Sequence, residues 1–148
     1  MRKHALSWRS GAALSWRSGA ALLGLGAVML AAVAAPASAA GDAEKGKAVF
    51  AANCGICHQV GPGAQNLVGP ELNGIDGRKA ASVADYANYS AGMKKLGDEG
   101  FIWTEANIDK WIADPKAMLP TSVMALAFPG LKDADQRADV IAYLKTQQ

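Results

Sequence analysis

Cys54-Gly55-Ile56-Cys57-His58 is the stretch on which the reading of this chain turns. It has the form C-x-x-C-H, the spacing of a c-type haem attachment site. Two thiols three residues apart match the two vinyl groups along one edge of a porphyrin. The next residue, His58, then reaches the iron from one face. Other uses of the two cysteines fit less well. A disulfide across a two-residue spacer closes a small strained ring and staples little of the chain. A dithiol oxidoreductase sets C-x-x-C within a βαβ pattern, and no strand-like run flanks this one. Structural zinc wants four ligands, and two Cys with one His supply three.

Working outward, the N-terminus carries the marks of export. Arg2, Lys3, Arg9 and Arg17 stand in a segment without acidic residues, and an apolar stretch covers residues 20–35. Ala37-Ser38-Ala39 follows as a cleavage signal. The stretch is short against the ~20 residues of a membrane span. Residues 1–39 therefore read as a cleavable secretory signal peptide, and 40–148 as the working domain. The octapeptide ALSWRSGA at 5–12 recurs at 13–20. Two copies confined to a leader read as a duplication and not as a solenoid. The leader takes four of the 15 Lys and Arg and none of the 13 Asp and Glu, so the remainder has a formal charge of about −2. The basic balance belongs to the precursor. A basic stripe for nucleic acid is absent from the sequence beyond it.

The remaining segments have helical or irregular character. Residues 42–53 read as a helix capped by Asp42, with Val49 and Phe50 on its apolar side just before the cysteines. Residues 61–77 are rich in Gly and Pro and read as loop. A short helix is expected at 80–87. Residues 104–114 form an amphipathic helix, capped by Thr104, with Ile108, Trp111 and Ile112 on one face and Pro115 at its end. Residues 116–131 read as loop. The last helix opens with Asp133 and Gln136 in capping-box spacing and carries Val140, Ile141 and Leu144 as its stripe. No segment alternates with period two, so the fold class is all-α, in one small domain.

A second axial donor has to come from elsewhere. His58 is the only histidine after the leader, since His4 lies within it. The candidates are Met93, Met118, Met124 or an open position. Methionine is an adaptable core filler as well as a soft ligand, so placement decides. Met118 directly follows a helix end, and Met93 precedes a lysine pair in a polar stretch. Met124 sits four residues after Pro120 in a loop between two helices, which can drape over the second face. Thioether ligation favours ferrous iron and raises the potential.

From residue 41 to 145 the chain resembles a class I cytochrome c, and is most similar to the bacterial cytochrome c2 type. Gly41 through Gly46, Phe50, and the helix around Tyr143 resemble the crossing of first and last helices in that family. Gly69-Pro70, twelve residues after His58, implies that the Pro70 carbonyl accepts from the His58 ring and fixes its orientation. Arg78, Tyr89, Trp103 and Ser122 are implied partners of the haem propionates, which are costly to bury without hydrogen bonds. The run Pro115 to Pro120, leading to Met124, resembles the family's methionine-ligand loop. The fold so implied has three main helices plus short helices and loops wrapped around one covalent haem.

The sequence also departs from the pattern. Trp111 stands where a Tyr is usual near the axial sulfur; an indole donates but cannot accept. Leu126 replaces a common Phe, and Val123 and Asn53 replace common basic residues of the docking edge. Phe128 and Pro129, and part of 96–100, look inserted. The implied function is a soluble periplasmic electron carrier, a monomer with a single haem c and His58/Met124 axial ligation. Its partners would be a cytochrome bc1-type complex, an oxidase, a reaction centre or a periplasmic dehydrogenase. The alternative is a haem enzyme or gas sensor with an open or labile sixth position.

Overall fold

The structure is a computed structural model and describes residues 40–148. The expected leader, with its octapeptide repeat and His4, lies outside the described residues. Along the described chain run α1 (Ala43–Asn53), α2 (Ala91–Asp98), α3 (Glu105–Ala113), α4 (Pro115–Met118), α5 (Val123–Ala127) and α6 (Ala134–Lys145). Extended structure among these residues is confined to one isolated antiparallel bridge, Lys79 to Ile102. The all-α class expected from the sequence holds.

Each of the three longer expected helices starts at its expected cap. The Asp42 carboxylate accepts from the backbone N–H groups of Glu44 and Lys45. Thr104 accepts from Asn107 N–H, and Asp133 from Asp135 and Gln136. A short oxygen-bearing side chain in extended backbone satisfies donors that the first helical turn leaves free. The backbone of α1 does not stop cleanly at Asn53. Cys54 N–H donates to Phe50 O at 2.8 Å and His58 N–H to Cys54 O at 2.9 Å, so tight turns carry both cysteines to the histidine.

α1 and α6 cross in close contact. A Cβ on Gly46 would lie 1.9 Å from the Asp139 carbonyl oxygen and 2.8 Å from Tyr143 Cβ, so only glycine permits this approach. Phe50 and Tyr143 fill the adjoining space with ring centroids 5.6 Å apart. Asp139 also accepts from Asp42 N–H at 2.7 Å, which ties the start of α1 to α6. α3 packs on α6 through the buried Ile108 and Ile112 and through Arg137, which donates to Asp109 at 2.7 Å and to the Leu131 and Lys132 carbonyls. The core runs from Phe50 through Trp103, Trp111 and Ile112 to Val140, Ile141 and Leu144.

Two expectations need correction. Residues 80–87 form successive turns and not a helix, because Ala80 is held across the chain to Phe101 O at 2.9 Å and Ala81 takes a φ of 55°. The helix lies later, in α2, where Ser90 caps the run that includes Met93 and the lysine pair. Residues 116–131 are likewise not all loop. α4 starts on Asp114 and Pro115, and α5 on Ser122, whose hydroxyl oxygen accepts from Ala125 N–H at 3.0 Å. Five residues of helix are too short to leave a readable hydrophobic period.

Candidate haem-binding site

The helices and loops surround one apolar cavity. Its walls include Phe50 from α1, Leu72 and Ile75 from the long loop, Ile108 and Ile112 from α3, and Val140 and Leu144 from α6. Every residue assigned from sequence lines it: Cys54, Cys57, His58, Pro70, Arg78, Tyr89, Trp103, Trp111, Ser122 and Met124. These assigned residues, up to 70 positions apart in sequence, thus face a common space. Met93, on α2, lines it as well. Met118 packs on the core but is not part of the lining.

The thiols of Cys54 and Cys57 are free and half-buried. Burial pushes the Cys54 thiol up to about 11, with the neighbouring Cys57 adding to the effect. Cys54 is therefore not an ordinary reactive surface thiolate. His58 Nδ1 lies 2.7 Å from Pro70 O. A carbonyl only accepts, so Nδ1 carries the proton. Burial lowers the imidazole's pKa, against the bond to Pro70. The ring is therefore neutral with Nε2 bare, the state in which imidazole ligates a metal. Gly69 N–H donates to Cys57 O at 2.9 Å, which brings the Gly69-Pro70 backbone over the ring.

The polar groups divide by how much of their bonding is already used. Ser122, buried, accepts the α5 cap bond and keeps its hydroxyl proton to donate. Tyr89 accepts from Val83 N–H at 3.3 Å and likewise keeps its phenolic proton; burial raises its pKa, so the phenol stays neutral. Trp103 and Trp111 are buried with centroids 5.7 Å apart. Arg78 is more committed than the sequence indicated. Its Nη1 donates to Glu71 Oε1 at 2.7 Å and to Asn73 O at 3.0 Å, and its Nη2 to Glu71 O at 2.7 Å.

Two contributors escaped sequence reading. Tyr86 is buried, lines the cavity, and donates its hydroxyl to Val68 O, next to the Gly69-Pro70 segment. It packs edge-on against Tyr89 at 4.7 Å. The short Tyr-x-x-Tyr spacing was the available signal. Glu71 gave none, since a lone acid in a polar loop reads as solvated charge.

The donor set fits a covalently held haem. Paired thiols and a preorganised imidazole sit along an apolar cavity, with a thioether and several unspent O–H and N–H donors around it. Such a site defines a small helical haem protein whose side chains hold and tune a redox centre. The family description Cytochrome c matches residues 43–148. Cytochrome c2 of Rhodomicrobium vannielii is 50% identical over 113 residues, covering 76% of this chain and 85% of that protein. Cytochrome c-554 of Methylosinus trichosporium is 49% identical over 117 residues, covering 79% and 83%. Among solved structures, cytochrome c2 from Rhodospirillum centenum superposes with a TM-score of 0.66 at 40% identity, over 72% of this chain and 98% of that one. The chain belongs to the cytochrome c family; it is an electron-transfer protein with one covalently bound haem c. These relatives lend no support to the alternative of an enzyme or gas sensor.

Proposed function

We propose that this protein carries single electrons between periplasmic redox proteins, with Cys54 and Cys57 as the thioether anchors and His58 and Met124 as axial ligands. The observation that carries this reading is the neutral, Pro70-clamped His58 on a cavity shared with two free thiols and Met124. When bound, the haem supplies a one-electron ferric/ferrous couple. The chain holds the group, excludes water and sets the potential. Residues 1–39 serve as the export signal and 40–148 as the cytochrome domain.

Both Met93 and Met124 line the cavity. The case for Met124 rests on α5, which together with its cap contributes Ser122, Val123, Met124 and Ala127 as one wall. Met93 lies near Ser90 and Tyr89. The propionate partners are Ser122, Tyr89 and Trp103 as free donors, with Arg78 as the charged one.

Among the described residues no helix is long and apolar enough to cross a membrane. The cavity mouth carries exposed Ile56, Val68 and Val123. This largely apolar mouth, with the exposed Lys79 also on the lining, favours short-lived apolar docking, with charges guiding encounter. Candidate partners are a cytochrome bc1-type complex, an oxidase, a reaction centre or a periplasmic dehydrogenase.

The test is an optical spectrum of the matured protein, oxidised and reduced, with and without carbon monoxide. Closed His58/Met124 ligation gives a sharp low-spin reduced spectrum, a weak red sulfur-to-iron band in the oxidised form, and no shift with carbon monoxide. Met124→Ala removes the red band and admits carbon monoxide, whereas Met93→Ala keeps the band. A parent protein that takes up carbon monoxide at once overturns the closed-ligand reading.

A further inference from the structure

We infer that Glu71 is a positioning and charge-damping residue that lowers the reduction potential through Arg78. The inference rests on the haem-carrier reading above and concerns one side chain that the reading does not use. Arg78 lines the cavity, and Glu71 stands behind it, outside the lining. The guanidinium is gripped on three sides by the Glu71 carboxylate and by the Glu71 and Asn73 carbonyls.

The carboxylate is itself fixed at both oxygens. Oε1 accepts from Arg78, and Oε2 accepts from Asn73 N–H at 2.7 Å. The Glu71 backbone N–H donates to Asn66 Oδ1 at 2.9 Å, so the main chain cannot swing freely either. The two side chains are only 17% and 21% exposed. That makes the pair part-buried, and water screens its charges less than those of a fully exposed pair. The residue is also next in sequence to Pro70, whose carbonyl orients His58. One short segment therefore holds both the proximal imidazole and the cation of the cavity wall.

The consequence follows from charge. Reduction adds one electron to the haem, so a cation at the wall favours the ferrous state and an anion opposes it. An unopposed Arg78 would act as a full positive charge. Paired with Glu71 it remains a rigid multiple donor, but its field at the cavity is largely cancelled. Glu71 thus separates the two uses of the arginine, keeping the hydrogen bonds and removing most of the charge.

The experiment compares midpoint potentials of the matured haem protein by spectroelectrochemistry at neutral pH and low ionic strength, for the parent, Glu71→Gln, Arg78→Gln and the double variant. Glu71→Gln is expected to raise the potential, Arg78→Gln to lower it, and the isosteric double variant to return it close to the parent. An unmoved potential in Glu71→Gln, with its low-spin spectrum intact, overturns the inference. If that variant fails to mature, the double variant decides: a potential as low as that of Arg78→Gln alone also overturns it. A parent without any reversible one-electron couple would instead count against the haem-carrier reading itself.

Discussion

Gly69 lies flat against the imidazole of His58, so close that a Cβ there would fall 2.1 Å from Cε1 and 2.7 Å from both ring nitrogens. The glycine is buried and its φ is ordinary, so the requirement is for space and not for a left-handed backbone. Gly69→Ala must push the ring or the backbone aside and lengthen the 2.7 Å contact to Pro70 O. Overpacking of this kind costs about 1–3 kcal/mol. The denaturation midpoint of the haem protein is expected to fall accordingly, and the reduction potential to move because the ring loses its acceptor. Unchanged values for both would show that the ring is not held from this side.

The α1–α6 crossing makes a similar demand on Gly46. Gly46→Val is expected to destabilise by at least about 2 kcal/mol, since a branched side chain must displace backbone and not a flexible tip. Tyr143→Leu at the same crossing removes the ring pairing with Phe50 and costs about 1 kcal/mol. Urea titrations followed by helical circular dichroism measure both. The crossing is distinguished from the haem pocket by an unshifted potential in Tyr143→Leu.

These glycines mark what the sequence made legible. Gly46, Phe50 and Tyr143 were legible through the family resemblance, and Asp42, Thr104 and Asp133 because short polar side chains preceded apolar stripes. Cys54, Cys57 and His58 were legible as a contiguous motif, and Pro70 through the family resemblance. What escaped was set by contacts distant in sequence. Residues 80–87 have helical composition, yet cross-chain bonds such as Gly77 N–H to Trp103 O and Ala80 N–H to Phe101 O hold this region in turns. Glu71 and Tyr86 gained their roles from Arg78 and Val68, seven and eighteen positions away, and no local pattern announces such pairs.

Ala81 offers a gain of stability. It has a φ of 55°, a left-handed conformation that costs an L-residue with a Cβ about 1–2 kcal/mol. Ala81→Gly relieves that strain but loosens the unfolded chain by about 0.5–1 kcal/mol. The net expectation is a stabilisation of about 0.5 kcal/mol, from the difference between those effects. A thermal midpoint below that of the parent would mean that the Ala81 methyl, close to Gly97, contributes more by packing than its backbone costs.

Ser122 joins the cap of α5 to the cavity wall. Ser122→Ala loses the bond from Ala125 N–H and costs about 1 kcal/mol. Because α5 carries Met124, the loss is local. The red sulfur-to-iron band should bleach at lower temperature than the helical signal melts, and the gap between the two should be wider than in the parent. Coincident melting in the variant would place the cap's effect on the whole domain and not on the ligand loop.

Tyr86 gives a pH dependence whose sign can be worked out. Burial raises its phenol pKa above the ordinary value near 10. In the folded chain the hydroxyl donates to Val68 O, a bond that the ionised phenolate cannot make. The unfolded chain loses this proton first, so it binds fewer protons than the native state above its own pKa. Stability from Tyr86 is therefore complete below about pH 10 and is lost as pH rises toward and through the folded pKa. Tyr89, also raised chiefly by burial, titrates with the same sign. Tyr86→Phe is expected to cost about 1 kcal/mol at pH 7 for the lost hydrogen bond. Its urea midpoint should then fall less steeply than the parent's between pH 9 and about pH 11, where the parent is losing the proton-linked share. Parallel curves over that range would show that Tyr86 shields the Val68–Pro70 segment by packing alone, with its hydroxyl proton irrelevant to the fold.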